Sequence, residues 1–142
     1  MALIMLLEGP ALAQEPIEGV WVTRQQSEIT VRACGAGYCG VLSKVVVPDE
    51  VRQSAAEESA TVGLDFRNKE PKLRDRPLLG QTILQLKASS KPGIYDGEIY
   101  NPEDGNTYSG YLEVLGPDSV RLKGCVLFNI ICRGEDWVRV GQ

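Results

Sequence analysis

Two strand-forming runs, Tyr95 to Tyr100 and Thr107 to Leu112, flank Asn101-Pro102-Glu103-Asp104-Gly105-Asn106, and no other stretch limits the fold so tightly. Proline presets a turn dihedral and glycine supplies positive φ, so these six residues predict a hairpin connection. Placing Asn101 opposite Asn106 sets the register. Ile99 then faces Tyr108, Gly97 faces Gly110 and Tyr95 faces Leu112, all on one side because side chains alternate with period two. The facing glycines imply a hollow on that apolar side, filled by a large neighbouring side chain or by a ligand.

Further strand runs are read before and after this hairpin. Gly19 to Thr23 and Glu28 to Ala33 come first, then Tyr38 to Val47, ended by Pro48. Leu79 to Lys87 precedes the hairpin; after it Gly116-Pro117-Asp118 turns into Ser119 to Leu127, and a last strand ends at Val140. Eight short antiparallel strands joined by tight turns predict an all-β up-and-down barrel, since closure removes exposed edges; a two-sheet sandwich is the rival. Glycines at 19, 40, 80, 97, 110 and 124 fit the bends of a small barrel. Gly19-x-Trp21 opens the first strand and Trp137-x-Arg139 closes the last. Closure makes those strands neighbours, so Arg139 is expected to lie on an indole face and plug one end. Between Asp49 and Pro77 the chain is charged and irregular, with at most a short helix over Asp49 to Glu58. One long central loop is expected there, and a loop of that length is functional or disordered.

The 142 residues make one domain, read as 14–142, and contain no histidine, which removes the usual general base and the commonest metal ligand. A net charge of −4 argues against nucleic acid as a partner. Residues 1–13 end in Ala11-Leu12-Ala13, the small-x-small pattern of a signal-peptidase site, but lack a basic start, so a truncated signal peptide is expected. No other run is apolar enough to span a bilayer, and a soluble monomer is expected. Four cysteines favour two disulfides in an oxidising compartment, Cys34–Cys39 and Cys125–Cys132, although three connectivities exist. A four-thiolate zinc site would need tighter spacing than Cys-x4-Cys and Cys-x6-Cys. Neither metal nor cofactor is expected.

The ordered set Gly19-x-Trp21, Cys39-Gly40, Asp65-x-x-Asn68, Arg74-x-Arg76-Pro77-Leu78-Leu79-Gly80, Gly97 through Tyr108, Gly124-Cys125 and Trp137-x-Arg139 resembles the bacterial domain of unknown function family 2147. The pairing of Gly-x-Trp with a last-strand arginine is also similar to the calycin superfamily, which includes the lipocalins. These resemblances imply a calycin-like barrel in a small protein exported to the periplasm of a Gram-negative bacterium, with no established activity. One departure is Lys69, where the family tends to place proline after the asparagine.

Candidate binding residues follow from position and chemistry. Asp65, Asn68, Arg74 and Arg76 lie on the long loop, where two arginines can hold a carboxylate or phosphate. The structural alternative pairs them with Asp65 and Asp75 to pin the loop. Tyr95, Tyr100 and Tyr108 are candidate pocket tyrosines or simply packed strand residues. Asp104 and Asn106 fit an ordinary turn better than a calcium loop. Without histidine no nucleophile has its usual base, so no catalytic residue is expected. Two functions remain. One is a carrier of a small apolar or amphipathic molecule, which needs an open cavity near Gly97 and Gly110. The other is an interaction module, a hydrolase inhibitor or envelope-stress factor, presenting residues 49–77 to an envelope protein. A filled barrel core with an ordered, protruding loop favours the second.

Overall fold

The computed structural model describes residues 17–46, 63–126 and 131–140. Within them the chain forms eight strands: β1 Gly19–Val22, β2 Glu28–Cys34, β3 Gly37–Lys44, β4 Thr82–Ala88, β5 Ile94–Asn101, β6 Asn106–Gly116, β7 Ser119–Val126 and β8 Ile131–Arg139. Each pairs antiparallel with the next, and β8 returns to β1 to close a barrel. Every strand therefore has two partners, which a two-sheet sandwich would not provide. The signal-peptide reading of residues 1–13 and the short helix over Asp49 to Glu58 lie outside the described residues.

The β5–β6 register is the expected one, with Tyr95 opposite Leu112, Gly97 opposite Gly110, Ile99 opposite Tyr108 and Asn101 opposite Asn106. The turn is held by Gly105 N–H donating to the Asn101 carbonyl at 2.8 Å, and by the Asn101 side-chain oxygen accepting from Glu103 N–H at 3.0 Å. The hollow expected beside the facing glycines is not open: of the two expected fillings a neighbouring side chain, Ile99, takes the Gly110 side, and strand backbone takes the rest. A Cβ on Gly97 would lie 1.8 Å from the Gln85 carbonyl oxygen. One on Gly110 would lie 2.1 Å from that of Lys123 and 2.6 Å from Ile99 Cδ1. The space is used for close approach of flanking strands, which only glycine permits.

Three strand boundaries differ from expectation by more than one residue, the largest being β6, which runs on to Gly116 rather than ending at Leu112. β3 ends at Lys44 rather than Val47, and β4 begins at Thr82 rather than Leu79. Gly80 has φ of 88° and donates to the Leu42 carbonyl, so it belongs to a turn entering β4.

Inward residues of all the strands form the core. Trp21, Ile29, Val31, Leu84, Leu112 and Val120 are essentially inaccessible, with Leu42, Leu86, Tyr95, Ile99 and Trp137 packed among them. One end is plugged as the sequence predicts. The Arg139 guanidinium lies 4.3 Å from the Trp21 ring centroid, and its Nη1 and Nε donate to the carbonyls of Glu18 and Pro117 at 2.8 and 3.0 Å. Trp21 Nε1 donates to the carbonyl of fully buried Ile17. Gly19 has φ of 134°, and a Cβ there would sit 2.3 Å from Arg139 Nη1. The glycine of Gly-x-Trp thus leaves room for the arginine.

The cysteines form Cys34–Cys39, within the β2–β3 hairpin, and Cys125–Cys132, directly across β7 and β8. This selects one of the three connectivities.

Candidate functional site

Residues 63–81, the described part of the β3–β4 connection, fold back on themselves. Leu64 bridges Pro77, Asp65 N–H donates to the Arg76 carbonyl at 2.9 Å, and Leu78 N–H donates to the Gly63 carbonyl at 2.9 Å. A single 3-10 turn, Pro71–Leu73, forms the tip, with proline supplying the first φ and losing no needed donor.

Asp65 is the centre of the arrangement. Its side chain has no exposed surface, and a buried carboxylate persists only with partners. Its Oδ2 accepts from Asn68 Nδ2 and from Arg76 Nε, both at 2.8 Å, and its Oδ1 accepts from the Tyr100 hydroxyl at 2.5 Å. Asn68 also accepts from Glu70 N–H through its side chain at 2.8 Å and from Arg74 Nε through its carbonyl at 2.8 Å. This local turn forms with Lys69 in the place where the family tends to have proline. Arg76 lies 5.9 Å from the Tyr100 ring centroid. Burial pushes the Tyr100 phenol well above its ordinary range, and the hydrogen bond to the Asp65 carboxylate adds to the shift.

A second fastening joins the connection to the β5–β6 turn. Arg67 Nη1 donates to the Glu103 carbonyl at 2.5 Å, and a Cβ on Gly105 would lie 1.9 Å from the Arg67 carbonyl oxygen. Gly105 is therefore needed twice, for its φ of 72° and for this close contact.

The candidate residues do not form one pocket. Asp65, Asn68, Arg76 and Tyr100 make a mutually satisfied network, with Arg74 on its exposed rim. Asp65 pairs with Arg76 as the pinning alternative has it, but Arg74 turns to a carbonyl and Asp75 joins neither arginine. Tyr95 is buried in the core, edge-to-face with Tyr38 at 5.5 Å, near the opposite end of the barrel. Tyr108 donates its hydroxyl to Asp104 in the β5–β6 turn, and that bond raises its pKa. Asp104 also accepts from Asn106 N–H at 2.9 Å, an ordinary turn contact. Exposed Lys69 and Lys72 beside Arg74 escaped the sequence reading, although the charge run was visible.

The Asp65 carboxylate is closed off from solvent, and its bonds tie residues 65–76 to Tyr100 of β5. Two concavities among the described residues open on the outer wall. One is bordered by Val22, Glu28, Lys44 and Val138, the other by Arg24, Arg121, Lys123, Gly134, Glu135 and Asp136.

An eight-stranded closed barrel whose ends are joined by Gly-x-Trp and a last-strand arginine is a lipocalin-like barrel. A solved structure supports that class: the chain is similar to protein HP1028 from the human pathogen Helicobacter pylori, described as belonging to the lipocalin family. The TM-score is 0.69 over 87% of this chain and 82% of that one, at 18% identity, a likeness of fold alone. The chain belongs to a family described as "uncharacterized protein conserved in bacteria" (DUF2147), whose model matches residues 19–139. No curated protein matches it.

Proposed function

We propose that this protein is a non-enzymatic interaction module of the bacterial periplasm, in which the barrel is a scaffold and the β3–β4 connection is the surface offered to an envelope protein. The observation that carries this reading is the Asp65 network. It holds the described part, residues 63–81, in place before any partner arrives, lowering the ordering cost of binding, while Lys69, Lys72 and Arg74 stay exposed at the tip. Two disulfides fit an oxidising compartment, and no helix among the described residues is long and apolar enough to cross a membrane.

A small apolar ligand inside the barrel is the second reading, favoured by the likeness to a lipocalin-family protein. Against it stand the packed inner side chains and the close strand contacts at Gly97 and Gly110.

One experiment separates the two. The protein is isolated from the periplasm without refolding, and its native mass is compared with its denatured mass. A small molecule lost on denaturation supports the carrier. A bare chain supports the interaction module, and a pull-down with Arg74→Ala and Lys72→Ala should then recover about tenfold less partner, as expected for exposed charges that contact it. Undiminished recovery rejects the connection as the binding surface.

A further inference from the structure

The barrel is sealed unevenly. β8 pairs with β7 from Ile131 to Val138 but meets β1 only at its end, with Val138 opposite Val22 and Arg139 opposite Trp21. The hydrogen-bonding parity of β8 follows from one distance and two hydrogen bonds. The Cα atoms of Cys125 and Cys132 are 4.0 Å apart, the close spacing of a pair that exchanges no main-chain bonds. Arg139 N–H donates towards the β7 side, to the Asp118 carbonyl, and Val140 N–H donates to the Val20 carbonyl in the β1 direction. The even-numbered residues of β8 therefore turn their N–H and C=O groups away from β7. At Val138 those groups face β1. At Gly134 and Asp136, both exposed, no described residue meets them.

The surroundings of this edge have a defined charge. Beside it lies the concavity of about 600 Å³ lined by Arg24, Arg121, Lys123, Gly134, Glu135 and Asp136. Both carboxylates there are engaged. Asp136 accepts two bonds from Arg121, at 2.7 and 3.1 Å, and Glu135 accepts from Trp137 Nε1 at 2.7 Å with Arg24 3.7 Å away. Lys123 and Arg133 are in no ion pair among the described residues; Lys123 lies over the Tyr111 ring. Gly134 has no side chain to shield the edge, and Lys123 Cγ would be 3.4 Å from a Cβ there.

We propose that the β8 edge at Gly134 and Asp136 takes up an extended acidic segment of a partner protein as an added strand. Main-chain hydrogen bonds hold it, in line with β1, and Lys123, on the same outer face as Gly134, selects negative charge. The proposal does not depend on the role of the β3–β4 connection.

The test uses the full oxidised chain and a blocked seven-residue peptide alternating glutamate and valine, titrated while backbone amides are followed by NMR. The Gly134 and Asp136 amides should shift and saturate below about 1 mM, the range of a weak added strand. A lysine-valine peptide should bind about tenfold more weakly, and Lys123→Glu should weaken the acidic peptide by about threefold or more. A glutamate-valine peptide N-methylated on alternate amides should lose binding, because it cannot complete the ladder. Shifts centred elsewhere, equal binding of the lysine peptide or the N-methylated peptide, or no saturation by about 1 mM each overturn the proposal.

Discussion

Gly19 shows how a single absent side chain supports the closure. Its φ of 134° disfavours any Cβ, and the same space holds the Arg139 guanidinium. Gly19→Ala should lower stability by about 2 kcal/mol through backbone strain and displacement of the arginine, visible as a fall in Tm with the barrel intact by circular dichroism. An unchanged Tm would mean the arginine is not held there. Tyr100 gives a pH prediction of definite sign. Its phenol is raised above its ordinary pKa in the fold, so its contribution is complete below the unfolded value near 10 and is lost as pH climbs through the folded value. Stability should fall above about pH 10, and Tyr100→Phe should flatten that fall while costing about 1–3 kcal/mol at neutral pH, because one Asp65 oxygen loses its donor. Chemical denaturation from pH 7 to 11 measures both. These two residues also differ in legibility. The Gly-x-Trp pattern announces its partner because Trp137-x-Arg139 is equally short and local, whereas nothing near Asp65 in the chain points to Tyr100, 35 positions away.

The strands and turns followed local chemistry closely where hydrophobic alternation and turn residues agreed, as in β5 and β6. They departed from it around Gly80, where an apparent strand start is a positive-φ turn tied to Leu42. The β3–β4 connection is the element whose sequence says least, since a charged, irregular run is compatible with solvent or with a buried ion network. Only the fold brings Asp65, Arg76 and Tyr100 together. The disulfides act on elements too. Each closes a short ring, with sequence separations of 5 and 7, so the chain-entropy account assigns each about 2 kcal/mol and little difference between them. Replacing Cys34 and Cys39 with serine, or Cys125 and Cys132, should therefore cost similar amounts in equilibrium urea unfolding. A cost several-fold greater for one pair would show that it restrains more than its own hairpin.

Closure makes the molecule one cooperative unit. Trp21 and Trp137 are both buried, near the joined first and last strands, so their emission reports the seam while far-ultraviolet circular dichroism reports all the strands. The two signals should give one coincident thermal transition, and a tryptophan change preceding the loss of strand signal would reveal a seam that opens by itself. While the cysteine pairing was left among three connectivities, legible in the residues alone were the eight-strand order, the β5–β6 register and the Trp21–Arg139 contact. These depend on period-two alternation, turn dihedrals and short motifs, which are written within a few consecutive residues. Folding in three dimensions settled that strand backbones and Ile99 use the Gly97–Gly110 space, that Arg76 turns to buried Asp65, and that no described residue meets β8 beside Gly134 and Asp136. Each of these outcomes depends on the twist and stagger of strands distant in sequence, and hence on which backbone comes within contact distance of which.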